Sequence, residues 1–411
     1  MESLSTKLNT TARWLTMLGV TMPLVSIAVA SIFLACAILV FAVGWFITRR
    51  RLRFPPIAAP LLLFMLFTAT SLAFSPEPFF GRAAISKFWL FAIILLVDNV
   101  FNKEDVRQTY FVLFGLSVIA ALLVVSQFLI IGQVSVETRL TGFMGHWMTL
   151  SGELMLVFIA GTGCLLFAAL RRPWFWLAGL ALLGVALFMT LTRSVWLATM
   201  AGVSVLLLMR HFHWRTFAAV GLAVGVLAIA APDVIQKRIV SMWDSNDPSN
   251  YARLAIWNAG RHMVEAHPWS GVGPQRISRV FYQYHPVQSD RTRSGFYPVH
   301  MHNNLLQFAA ERGIPCALAW LWLMGKVARD HWRHFRRTLA SDDARAFSAV
   351  GFTAVLVLFL AGLFEFNFGD SEVLMVFLFL VSAPYALSSA GANGSLNKPD
   401  TRPPGGPSHG E

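Results

Sequence analysis

Apolar residues along this chain come in long blocks separated by short basic or turn-forming stretches. Each block approaches the roughly 20 residues that an α-helix needs to cross a bilayer core about 30 Å thick. Two short helices share 14–47, turning near Pro23, and further blocks cover 57–74, 85–101, 108–131, 147–170, 173–190, 194–210 and 216–231. Three more follow at 304–326, 346–366 and 371–388. The pattern predicts an all-α integral membrane protein with about twelve transmembrane helices.

One stretch breaks the rhythm. Residues 232–303 are polar over a length at which loops are usually either functional or disordered. Trp243, Trp257, Trp269, Phe281, Tyr282 and Tyr284 lie within it, an aromatic content expected of a folded, partly helical element resting on the bundle. The chain is thus expected to divide into helices 1–9 within 1–231, a large loop at 232–303, helices 10–12 within 304–388, and a tail at 389–411. That tail is rich in Gly, Pro and Ser and is expected to be disordered.

Composition agrees with the pattern. Hydrophobic residues make up 56% and charged residues 13%, against about 25% charged in soluble domains, which excludes a soluble enzyme. The net charge of +12 is explained first by the bias of Lys and Arg toward cytoplasmic loops. Arg49 to Arg53, Lys103 with Arg107, Arg171 with Arg172, Arg210 with Arg215, and the cluster from Lys326 to Arg345 fall in alternate loops. Both termini are then expected in the cytoplasm and the long loop in the periplasm. No soluble basic module is visible, so nucleic acid is not an expected partner. Cys36, Cys164 and Cys316 are far apart and show no metal spacing, which predicts neither a disulfide nor a cysteine–zinc site. The first segment reads as a retained helix, because no convincing small-residue cleavage site follows Lys7 and Arg13.

Charge inside the long loop runs against that bias. Lys237, Arg238, Arg253, Arg261, Arg276, Arg279, Arg291 and Arg293 face only Asp233, Asp244, Asp247, Glu265 and Asp290. An anionic ligand would account for the excess, and so would an amphipathic helix lying on anionic lipid. Ser249 and Asn250 can cap a helix running to about Val264. On it Arg253, Trp257 and Arg261 share one face, where guanidiniums and an indole can hold a phosphate beside a sugar. Snorkelling at the membrane surface explains the same stripe. Arg193 and Arg139 sit at membrane boundaries on the same side, where a charge is either functional or interfacial.

His302 opens an apolar helix beside this loop, where a neutral imidazole can take a proton from a sugar hydroxyl or merely cap the helix. His300 and His302 lack the cysteine or carboxylate company of a zinc site, so no metal is expected. Glu365 lies at the end of an apolar run, as a functional carboxylate or as the partner of an arginine; Glu311 competes with it. The chain holds no DxD pair, phosphate-binding glycine loop or GxSxG, which sets aside a soluble nucleotide sugar or ATP as the energy source.

RLTGFMGH (139–146), TLTRSVWLA (190–198), Arg253 with Trp257 continuing to HPWSGVG (267–273), HNNLLQFAAERGIP (302–315) and FEFNFGDSE (364–372) resemble, in order, the motifs of the bacterial O-antigen ligase/polymerase superfamily. The resemblance spans about residues 10–388 and is most like the ligase branch. It implies a GT-C-like glycosyltransferase of the inner membrane that needs no metal or cofactor. Its donor would be an undecaprenyl-pyrophosphate-linked glycan and its acceptor a sugar hydroxyl of lipid A–core, joined with inversion at the periplasmic face. By the same resemblance Arg193 and Arg253, with Arg139 less firmly, hold the pyrophosphate, and His302 is the candidate base. Thr192 stands where the family usually has Ser. Trp257, Arg261, Asn303, Glu311 and Glu365 are candidate supporting residues. A polymerase with the same donor shares all of these features. A transporter of an anionic solute is the reading from another class; its arginines would line a path to the bilayer midplane.

Overall fold

The computed structural model describes residues 2–49, 51–131, 139–168, 170, 172–210, 233–242, 244, 247–285, 298–339 and 343–396, with isolated positions between 214 and 229. Every regular element among them is helical. The expected span at 216–231 falls almost wholly outside the described residues, as do Trp243, Arg291, Arg293 and the tail from 397.

The apolar blocks fold as helices close to their expected bounds. α1 (Glu2–Thr21) and α2 (Ile27–Thr48) form a hairpin through a 3-10 turn at Met22–Leu24, with Pro23 inside that turn. α3 (Ala58–Ala73) follows. The block at 85–101 is a broken rod: α4 (Pro78–Ser86), a 3-10 stretch (Lys87–Phe91) and α5 (Ala92–Val100). Next come α6 (Lys103–Ile131), α7 (Trp147–Phe167), α8 (Pro173–Met189) and α9 (Arg193–Met209). The block at 304–326 is two helices, α13 (Asn304–Arg312) and α14 (Ile314–Arg337), meeting at Gly313. α15 (Asp343–Ala361) and α16 (Ser371–Leu396) close the bundle. α16 stays helical to Leu396, past residue 389 where the tail was expected to begin.

Six of the described rods are long and apolar enough to cross a membrane, and α3, α8 and α9 are shorter apolar helices. Buried share separates inner from outer helices. In the most apolar stretch of α7, 83% of residues are buried, against 22% in α2 and 28% in α6, so α7 is the central post and the other two are outer walls. Those walls expose Ile32, Leu39, Phe46, Ile119, Leu122 and Leu129. Apolar surface of that extent is stable only against lipid. The chain is a multi-pass membrane protein.

The long polar segment contributes three helices, α10 (Asp233–Val240), α11 (Pro248–Ala266) and α12 (Ile277–Tyr284). The cap of α11 is Asp247, two residues before the expected Ser249: its side chain accepts from the backbone N–H of Ser249 (3.1 Å) and Asn250 (3.3 Å). Ile256, Ala259, Met263, Val272, Ile277, Val280, Phe281, Met301 and Ala310 form a small core of their own, separate from that of the bundle. Backbone bonds dock it: Val272 donates to Ala310 (2.9 Å), Gly273 to Glu311 (3.0 Å) and Ile314 to Pro268 (2.8 Å). Glu77 adds ion pairs to Arg276 (3.0 Å) and Arg279 (2.7 Å). This element caps the end of the bundle that carries His302; Tyr385 lies toward the opposite end.

Candidate functional site

Between α9, α10, α11 and the turn after α15 lies a cavity of about 330 Å³, lined among others by Arg139, Arg193, Arg238, Arg253, Trp257 and Glu365. Four separated stretches of chain deliver its charges: Arg139 before α7, Arg193 at the start of α9, Arg238 and Arg253 in α10 and α11, and Glu365 after α15. Arg193 is the first residue of α9 and only 8% exposed. Its Nη1 donates to the Ser241 carbonyl (2.7 Å) and Oγ (2.9 Å), and its Nη2 to Asn250 Oδ1 (2.7 Å) and Asp247 Oδ1 (3.3 Å). Four contacts on two terminal nitrogens make Arg193 the tie between α9 and the capping element, with Nε left over for a ligand.

Arg238 is the site residue that sequence reasoning missed; it appeared there only as one of a row of loop cations. It is 6% exposed, donates from Nε to the Leu191 carbonyl (3.3 Å) and pairs with Asp247 (3.6 Å). Leu191 holds φ of 55°, a left-handed conformation costly for a leucine, and its carbonyl is the one Arg238 grips. Burial, then the charges of Arg193 and Arg139, lower the Arg238 pKa to about 10, which still leaves it cationic at neutral pH. Burial also lowers that of Arg139, whose guanidinium lies 4.8 Å from the Trp147 ring centroid.

On the far wall Arg253 pairs with Glu365 at 2.7 Å and also bonds Ser249 Oγ (3.0 Å) and the Phe364 carbonyl (3.3 Å), leaving two of its five N–H groups open. The other oxygen of Glu365 lies 3.2 Å from His302 Nδ1. Glu365 is 5% exposed, and burial alone would raise its pKa. The His302 hydrogen bond and the Arg253 and His302 charges outweigh that, so it is held below the ordinary value as a carboxylate. A carboxylate can only accept, so Nδ1 carries a proton, and in the singly protonated ring Nε2 is the free base. His302 stands just behind the cavity wall, linked to it through Glu365.

His302 also sits in the left-handed region, at φ 47°. Neighbours fix it there. Trp257 Nε1 donates to the Met301 carbonyl (3.0 Å), Met301 N to Gln307 Oε1 (2.7 Å), and Asn303 Nδ2 to the Leu363 carbonyl (2.9 Å). The His300 ring packs edge-on at 4.2 Å from that of His302, and burial followed by the His302 charge lowers its pKa to about 4.

The supporting candidates divide. Trp257 lines the cavity and holds the His302 backbone. Asn303 caps α13, accepting from Leu306 N (2.9 Å), and Glu311 is buried behind the site, accepting from Gln275 N (2.8 Å). Both organise backbone and neither lines the cavity. Arg261 lies in solvent, 64% exposed and 3.8 Å from Glu265, and the expected Arg253–Trp257–Arg261 stripe does not reach the cavity as a unit. Eight residues at about 100° each overshoot two full turns by about 80°, which turns Arg261 away from the face of Arg253. Among the described residues no group of three or more His, Cys, Asp or Glu is placed to hold a metal ion.

Among the described residues, the guanidiniums of Arg139, Arg193, Arg238 and Arg253 converge on one cavity, with Asp247 bridging Arg193 and Arg238 and Glu365 paired to Arg253. Converging guanidinium forks suit a phosphate-bearing anion, with the His302 ring just behind the wall. Residues 178–321 match the family model described as O-antigen ligase, a stretch that includes Arg193, Arg238, Arg253 and His302 but not Arg139 or Glu365. No curated protein matches the chain. Over the matched stretch, which carries the core of this cavity, the chain is similar to the O-antigen ligase family.

Proposed function

We propose that the chain is an O-antigen ligase. It moves a glycan from undecaprenyl pyrophosphate to a sugar hydroxyl of lipid A–core at the periplasmic face of the inner membrane. The observation that carries this reading is the cationic cavity whose wall ends in the Glu365–His302 pair. A pyrophosphate diester bears two negative charges, which the guanidiniums lining this cavity can meet. An apolar cavity of about 360 Å³ between α7, α8 and α9, lined by Phe158, Leu187, Phe188, Trp196 and Met200, flanks it and suits the isoprenoid tail of such a donor.

In the reaction the acceptor oxygen attacks the anomeric carbon as the carbon–oxygen bond to pyrophosphate breaks. The proton of the acceptor hydroxyl passes to His302 Nε2, and the electron pair leaves with the pyrophosphate. Arg253 and Arg193 Nε meet charge that grows on the leaving group, so their help is greatest in the transition state. One displacement inverts the anomeric centre and requires no covalent nucleophile.

Reconstitution tests this directly. Purified protein is given undecaprenyl-pyrophosphate glycan and lipid A–core in the presence of EDTA. Wild type is expected to lengthen lipid A–core on a gel, with Arg253→Ala and His302→Ala each slower by about 10²-fold or more. Longer donor chains with untouched lipid A–core would replace the ligase by a polymerase. Equal rates for wild type and both variants would remove the site from the chemistry.

A further inference from the structure

A second concavity lies at the opposite end of the bundle and is no part of the reaction above. It has a volume of about 440 Å³ between the starts of α6 and α8, the end of α7 and the start of α15. Arg107 and Arg172 face it, and neither has an ion pair or hydrogen bond among the described residues. The acid on its wall, Asp343, is 3.7 Å from Lys103, so the two arginines are not neutralised from within. Tyr110 also lines it, and that side chain is 3% exposed with a hydroxyl that has no partner.

An orphaned buried hydroxyl is costly, on the order of 1–3 kcal/mol, and calls for an explanation. The bias toward basic loops explains exposed arginines, but it explains neither a concave site nor an unpaired phenol within it. The rim is amphipathic in the sense a bilayer boundary requires. Trp174 is 65% and Phe111 55% exposed, both apolar and facing outward, while the charged groups lie at the water-facing edge.

We propose that this cavity binds a phosphate-bearing anion: Arg107 and Arg172 grip the phosphate, Tyr110 donates to an oxygen, and the exposed aromatics pack against whatever hydrocarbon it carries. Guanidinium forks favour phosphate over a spherical anion. An anionic phospholipid headgroup satisfies both the polar floor and the aromatic rim; free phosphate satisfies the floor alone.

Full-length protein in detergent, titrated with phosphatidylglycerol or phosphatidylcholine and followed by native mass spectrometry, separates the cases. Phosphatidylglycerol is expected to be retained in preference, about fivefold or more weaker in Arg107→Gln/Arg172→Gln and two- to threefold weaker in Tyr110→Phe. Removing an unpartnered hydroxyl should not unfold the protein, so Tyr110→Phe keeps the test independent of stability. Inorganic phosphate alone raising the melting temperature of wild type, but not of the double variant, would assign the same site to a soluble phosphate. Equal retention in wild type and both variants, with no effect of phosphate, overturns the proposal. An equal loss in Arg333→Gln/Arg337→Gln also overturns it, since that would mean attraction to any basic surface.

Discussion

At the scale of single residues, burial decides which arginines belong to the site. Arg238 and Arg261 both looked like loop cations in sequence, yet one is 6% exposed and holds a strained carbonyl while the other lies in solvent. Replacing Arg238 by Gln leaves Asp247 with Arg193 alone and takes one charge from the cavity. Transfer is expected to fall about 10²-fold, while Arg261→Gln stays within about twofold of wild type, both read as kcat in the reconstituted assay. A twofold effect at both positions would mean that the buried arginine has no part in binding the donor. His300 makes a separate prediction in pH. Its pKa is lowered to about 4 from the 6.5 of an unperturbed imidazole, so between those values the unfolded chain binds more protons than the folded one. The stability tied to the neutral ring is present above pH 6.5 and is lost as pH falls toward 4. Thermal melts over that range should therefore drop more steeply for wild type than for His300→Gln, and parallel curves would show that the ring is not buried neutral.

At the scale of elements, sequence periodicity missed α10 and α12 but found the apolar helices of the bundle, because long apolar blocks dictate helices in lipid. It could not find the breaks inside them. The 85–101 block splits at a 3-10 stretch where Lys87 donates to the Gly369 carbonyl, and the 304–326 block splits at Gly313, where a second chain segment comes close. These breaks answer to distant segments, Gly369 for the first and Trp269 with Ser270 for the second, which no local pattern encodes. The same holds for the site. Arg193, Arg253, His302 and Glu365 could be singled out from motif and position, but the pairing of Arg253 and His302 through one carboxylate needed the fold. So did the saturation of Arg193 by Ser241, Asp247 and Asn250. Gly313 tests how tightly the capping element is fastened. It sits at φ 87°, and an added Cβ would run into the backbone of Trp269 and Ser270. Gly313→Ala is expected to destabilise by about 2–3 kcal/mol, seen as a lower melting temperature and faster proteolysis between 233 and 285. Melting like that of wild type would mean the α13–α14 joint can yield.

At the scale of the whole molecule, the two ends differ less in how many cations they carry than in whether those cations are paired. On the His302 end the carboxylates have been recruited: Glu77 to Arg276 and Arg279, Asp247 to Arg193 and Arg238, Glu365 to Arg253. At the opposite end Arg13, Lys103 and Lys326 are paired with Asp105, Asp343 and Asp330, but Arg107, Arg172, Arg329, Arg333, Arg336 and Arg337 have no carboxylate partner among the described residues. Lys and Arg in short loops close to span ends are what resist translocation, so the Tyr385 end, with its arginines in short loops and last helical turns, should stay cytoplasmic although the chain carries arginines on both sides. A labelling experiment can decide this, because Cys164 and Cys316 are buried and only Cys36 is exposed. In a Cys36→Ser background, a cysteine replacing exposed Arg261 should react with a membrane-impermeant maleimide added outside spheroplasts. One replacing Arg333 should react only after the membrane is opened. The reverse pattern would put the arginine cavity in the cytoplasm, away from any periplasmic acceptor, and the ligase reading would fall with the topology even if every residue-level prediction held.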